Sequence, residues 1–159
     1  MRDKRFIAEH RGGLLSRENH KKLMNWAIKC SAHVLPLHDS EIDARLQNAL
    51  DVAEEWENEN IKTGEAMKAS VAAHAVTRKS TDPLSIAVAR SIGHTVATAH
   101  MADHSLGGAL YALKAVKLSG KSIDEERDWQ KEQLKQLPME IEELVLTTMK
   151  KKEKGLNIS

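Results

Sequence analysis

The stretch Ser80-Thr81-Asp82-Pro83-Leu84-Ser85-Ile86-Ala87-Val88-Ala89-Arg90-Ser91 decides the fold. Asp82 stands where a carboxylate can accept hydrogen bonds from the orphan amides of a helix start. Pro83 falls at the first helical position, where its missing N–H costs nothing. From Pro83 the helical pattern runs to about Leu118, too long for an ordinary globular helix. A break is therefore expected within residues 102–105, with Asp103 or Ser105 capping a second helix. That helix would bury Leu106, Ala109, Leu110, Leu113 and Val116, and stop at Gly120. Gly93, Ala97, Gly107, Gly108 and Ala112 allow close backbone approach, so these two helices are expected at the centre. Gly107 and Gly108 inside a helix each cost about 1 kcal/mol relative to alanine, so something tight must press on them.

The same punctuation divides the rest of the chain. Ser16 caps a helix with Leu23, Trp26, Ala27, Cys30 and Val34 on one face, and Pro36 ends it. Ser40-Glu41-Ile42-Asp43 reads as the next start, followed by a stripe of Ile42, Leu46, Ala49, Leu50 and Ala53 that Trp56 extends. Residues 57–60 end that helix. Thr63 is expected to cap a third, with Met67, Val71, His74 and Ala75 along it. Ser122 with Glu125 matches a capping box opening a charged helix through Trp129 and Leu134. Pro138 begins a last helix carrying Ile141, Leu144, Val145 and Met149. The expected fold is all-α: a compact single-domain bundle of six to seven helices over residues 1–159, mostly antiparallel hairpins. Residues 1–15 form an N-terminal arm. Residues 150–159 form a solvated basic tail expected to fray.

Composition agrees and excludes several functions. Aromatic residues make up 3% of the 159-residue chain, and only three prolines interrupt it. A net charge of +1, from 24 basic and 23 acidic residues, gives little long-range attraction to nucleic acid or an anionic membrane. Cys30 is the one cysteine, so no internal disulfide or cysteine-zinc cluster is available. On the apolar face of its helix it reads as core. Residues 1–6 lack the apolar run of a secretion signal, so a cytoplasmic location is expected.

Histidine carries the chemical interest. Three of the eight histidines fall within residues 94–104. Were that stretch one helix, His100, Asp103 and His104 would share a face and could hold a divalent metal, with His74 or His94 adding a ligand. This is the route to a small metal-dependent hydrolase built on His74, His94, His100, Asp103 and His104. The competing reading makes these five a structural polar network with no metal and no cofactor, since Asp103 is needed as a cap. Glu9-His10-Arg11-Gly12-Gly13 is the second unusual segment. Its glycines point to a turn with positive φ or to backbone pressed on a neighbour. His10 and Arg11 could grip a carboxylate, or Arg11 could pair an internal acid as the arm folds over the helices. Asp51, Glu54 and Glu55 beside Trp56 could meet a basic partner, or form a solvated face. Gly107, Gly108 and Ala112 could pack across a two-fold axis in a homodimer or higher homo-oligomer.

Several blocks in order also resemble a known family: residues 10–13, 23–27, 73–75, 87–91 with Gly93-His94, 97–104 and 124–127. The chain is similar in these to the Imm-5-like immunity proteins of bacterial polymorphic toxin systems. The resemblance implies an α-helical cytoplasmic protein that binds and neutralises a cognate toxin by occlusion, with no catalytic residues. It implies a protein partner and neither nucleic acid nor membrane. His10, Arg11, Asp51, Glu54, Glu55 and Trp56 are the candidate binding residues.

Overall fold

A computed structural model describes residues 2–38 and 41–158. Seven α-helices occur among the described residues: α1 Arg17–Val34, α2 Ala44–Glu57, α3 Thr63–Ala75, α4 Pro83–Ala97, α5 His104–Leu118, α6 Ile123–Gln133 and α7 Met139–Glu153. Among them no strand forms; the arm contributes one isolated bridge between Ala8 and Leu15. Among the described residues no helix is long and apolar enough to cross a membrane.

Most caps are local consequences of sequence. Ser16 Oγ accepts from the Asn19 amide, Ser122 Oγ from Glu125, and Asp82 from Leu84 and Ser85. Residues 35–37 continue past α1 as a tight 3-10 turn with Pro36 inside it. Two starts differ from expectation. Helix α2 is capped by Asp43, which accepts from the Arg45 amide; Ser40 lies outside the described residues, and Ile42 precedes the helix and is exposed. At α3 the cap position is Lys62, and Thr63 is already helical.

Helices α4 and α5 pack on each other more extensively than any other pair, and α1 lies across both. The α2–α3 hairpin covers α4, while α6 and α7 close over α5. One cluster of buried apolar side chains runs through six of the helices, and Ile123 and Trp129 of α6 pack against it. The expected inward faces of α1, α2 and α5 are buried. In α3 the small residues Ala66, Ala69, Ser70 and Ala73 face inward, and Val71 is 63% exposed. Small residues let α3 approach α4 closely enough for Ser70 Oγ to donate to the Gly93 carbonyl at 2.9 Å.

What presses on the glycines is side chain from the neighbouring helix. A Cβ on Gly108 would come 2.5 Å from Thr95 Oγ1, and one on Gly107 would come 2.8 Å from the His94 ring. Gly108 and Ala112 are thus buried inside the chain, while Gly107 is half-buried and lines a cavity. Around Gly108 lies a buried hydroxyl network. Ser31 Oγ is 2.8 Å from Ser91 Oγ and 2.6 Å from Thr95 Oγ1. Thr95 donates to the Ala27 carbonyl and Ser91 to that of Gly108. On the α6 side, Trp26 Nε1 donates to the Gln130 carbonyl and Gln130 Nε2 to that of Ala109.

Residues 150–158 are ordered against the bundle rather than splayed into solvent. Lys150, Lys151 and Lys152 are exposed but helical, and Ile158 is buried. Arg127 donates to the Ile158 carbonyl and Lys117 to that of Asn157, which ties the last residues down.

Gly108→Ala gives a direct check on this packing. In an ordinary helix the change stabilises by about 1 kcal/mol. Here the methyl displaces fully buried Thr95, so a loss of about 1–3 kcal/mol is expected. Urea unfolding measures it, and a gain would show that the α4–α5 contact is looser than described.

Candidate functional site

Two cavities flank the turn at residues 98–103 that joins α4 to α5. The first, of about 620 Å³, lies between the arm, α1, α2 and the turn; its lining includes His10, Arg11, His20, Trp56, Thr63 and His100. Gly12 (φ +88°) turns the arm back, and Gly13 sits so tightly on the Ile7 carbonyl that no side chain would fit. The Leu14 amide then bonds the Lys4 carbonyl and that of Leu15 bonds Ile7, which closes the arm into a loop. Arg11 therefore reaches over the helices, as expected, but its partner is not an acid. Its Nη1 donates to the His100 carbonyl at 3.0 Å and lies 3.4 Å from Met101 Sδ. His20 Nε2 donates to the Thr98 carbonyl at 2.6 Å, and its ring centroid is 4.9 Å from that of Trp56. Burial lowers the His20 pKa against the opposing effect of the Thr98 bond.

His10, Arg11 and Trp56 are brought together in this cavity, and Asp51, Glu54 and Glu55 are not. The three acids are exposed on the outer face of α2. Asp51 accepts from Gln47 and Glu55 from Asn60, while Trp56 turns inward from the same helix.

The second cavity, of about 480 Å³, opens between the start of α5, the end of α7 and the N-terminal residues. Arg2, His94, Asp103, His104, Tyr111, Lys151 and Lys152 supply its polar lining. Glycine positions the rings: Cβ atoms on Gly93 and Gly107 would collide with the imidazoles of His74 and His94. The His74 and His94 rings meet edge to face at 5.1 Å, and His94 stacks on Tyr111 at 5.3 Å with 9° between the planes. His94 Nδ1 and His104 Nδ1 are 3.4 Å apart. Burial lowers the pKa of all three imidazoles; for His94 it acts with the neighbouring His74 and His104 charges to bring it to about 4.

Asp103 occupies the cap position of α5 but does not cap it. Its backbone is already right-handed helical (φ −68°, ψ −14°), whereas a capping side chain needs extended backbone to reach the next amides. Its Oδ2 instead accepts from Arg2 Nε at 2.9 Å, and its Oδ1 is buried without a protein partner.

The break in the helix also removes the shared face on which a metal site at His100, Asp103 and His104 depends. Turns replace α-helix from residue 98 to 103. His100 faces the first cavity, and Asp103 and His104 the second. Among the described residues, no three His, Cys, Asp or Glu side chains are placed to hold one ion. The five residues read as one network are divided in the same way: His74, His94 and His104 stand in a row, and His100 stands apart with Arg11. Sequence reasoning did not reach Arg2, Tyr111, Lys151 or Lys152. Tyr111 is the one tyrosine, and the two lysines read only as tail.

Among known proteins, a family model described as "Imm-5 like putative immunity protein" matches residues 13–137. That stretch holds α1 to α6 and both glycine seats. No curated protein and no solved structure gives a significant match.

The neutral imidazoles make stability depend on pH in a defined direction. In the unfolded chain His94 titrates near 6.5, and in the fold at about 4. Its contribution is complete above pH 6.5 and is lost as pH falls from there through about 4, because only the unfolded chain takes up the proton. The His94 contribution amounts to roughly 3 kcal/mol. Urea midpoints at about pH 7.5 and about pH 4.5 should differ accordingly, and His94→Phe should shrink the difference. An equal acid loss in that variant would remove His94 as its source.

Proposed function

Because this chain belongs to the Imm-5 like immunity family, we propose that it binds a cognate bacterial toxin and neutralises it by occlusion, without chemistry of its own. The family match across residues 13–137 carries this reading. Immunity by occlusion asks for a surface that keeps its shape when free, since ordering on contact costs affinity. The arm meets that need. Glycine turns and backbone bonds close it, and Arg11 pins it to the His100 carbonyl. Arginine and tryptophan are the residue types that dominate binding energy at interfaces, and Arg11 and Trp56 line one cavity here. Exposed Leu14 sits on the same arm.

The outer face of α2 supplies a second element. Asp51, Glu54 and Glu55 are exposed on the same helix that carries Trp56. Charges at an interface rim act mainly on the rate of encounter. The proposed surface thus has the arm cavity at its centre and the acids at its edge, suited to a toxin with a basic rim.

Co-expression with toxin genes neighbouring this one tests the function. Growth should be rescued, and the toxin should co-purify with this protein. If no neighbouring toxin is neutralised or captured, the immunity reading fails. Given a captured toxin, the double variant Asp51→Lys/Glu54→Lys should slow association by about tenfold with little change in dissociation. An unchanged rate would move the interface away from α2.

A further inference from the structure

The second cavity is not used by that reading, and its chemistry is specific. We propose that the space between α5, α7 and Arg2 is a binding site for a small phosphate monoester, held by Lys151 and Lys152 and read by the imidazoles of His94 and His104.

Charge balance is the first argument. The lining holds Arg2, Lys151 and Lys152 against one carboxylate, Asp103. The imidazoles are neutral, because burial lowers their pKa values. Three cations and one anion leave two positive charges facing the space, which a dianion such as a phosphate monoester neutralises. A carboxylate would meet half of that.

Hydrogen-bond geometry is the second. Facing Nδ1 atoms 3.4 Å apart on neutral rings require one to donate to the other. The donor ring then has a bare Nε2, and the acceptor ring carries an Nε2–H. The pair thus keeps one acceptor and one donor free of each other, and Tyr111 lines the same space. Asp103 Oδ1 has no protein partner although Oδ2 is ion-paired, so one strong acceptor beside the cavity lacks a donor. An oxyanion carried on a hydroxyl-bearing body matches this set.

The walls are the third. Leu110 and Leu156 supply apolar surface, and Tyr111 is fixed between His94 and the Arg90 guanidinium, which lies 5.9 Å from the ring centroid. A volume of about 480 Å³ falls in the range of small-molecule sites. The backbone framing the cavity is tied down at both termini, by Arg2 on Asp103 and by Arg127 on the Ile158 carbonyl. This site stands independently of toxin binding: His100 and Arg11, on the other side of the turn, contribute nothing to it.

The test uses the full chain at about pH 7.5 and low salt, where a phosphate monoester is dianionic. Inorganic phosphate, adenosine monophosphate and adenosine are the probes, with imidazole C–H resonances of His94 and His104 as the readout. Both phosphate probes should move these resonances saturably, and adenosine should not. Lys151→Ala/Lys152→Ala should weaken binding by about tenfold. Both lysines are exposed, so an unchanged melting temperature will show the variant folded. The proposal is overturned if neither phosphate probe shifts the resonances at up to about 10 mM, if adenosine shifts them equally, or if the double variant binds as well as the parent.

Discussion

Everything in this molecule is arranged around the approach of α4 to α5 and of α3 to α4, close because three positions lack a side chain. At Gly93, Gly107 and Gly108 the space of a Cβ is taken by His74, His94 and Thr95 respectively. Contact that close brings main-chain carbonyls within reach of side chains from other helices. Ser91 donates to the Gly108 carbonyl and Ser70 to that of Gly93. Each such bond contributes only about 1 kcal/mol net, whereas a buried hydroxyl left without a partner costs about 1–3 kcal/mol. The glycines and hydroxyls therefore form a set, in which altering one strands the others.

The same contact accounts for the histidines. An imidazole seated in a glycine notch is shielded from water and loses stability as a cation. His74 and His94 are held this way, and His104 joins them from the first turn of α5. Close helix packing thus sets the protonation state of the cavity wall, with the Asp103 charge opposing it only at His104. Asp103, the nearest acid, is occupied by Arg2.

The fold was legible to the extent that its signals were local. Caps at Ser16, Asp82 and Ser122 follow from side chains acting on amides a few residues away, and the stop at Gly120 from its positive φ. Where a partner is distant, sequence misleads. The orientation of α3 cannot be found by following its larger apolar residues, because α4 rewards small ones and Val71 is left outside. Asp103 looks like a cap, and only the placement of Arg2, 101 residues away, shows what occupies it. The first cavity was half visible: Arg11 and Trp56 stood out as residue types, but nothing local joins residue 11 to residue 56. The second was not, since its lysines come from the last turn of α7 and its tyrosine carries no motif.

The turn at residues 98–103 ties these observations together. A continuous helix here would align His100, Asp103 and His104 on one side and merge two environments into one. The chain instead turns, and Thr98 and His100 give their carbonyls to His20 and Arg11. Those bonds need exposed main-chain acceptors, which a helix interior does not supply, so the break is a requirement of the arm's attachment as much as a feature of α5. Once the carbonyls face the arm, the side chains beyond them face the other way. The partition into a cavity holding Arg11 and Trp56 and a cavity holding Tyr111, Lys151 and Lys152, with imidazoles in both, then follows from a single change of backbone direction. A segment dense in histidine and aspartate resembles a metal site as sequence; as structure it is a wall, with different chemistry on its two sides.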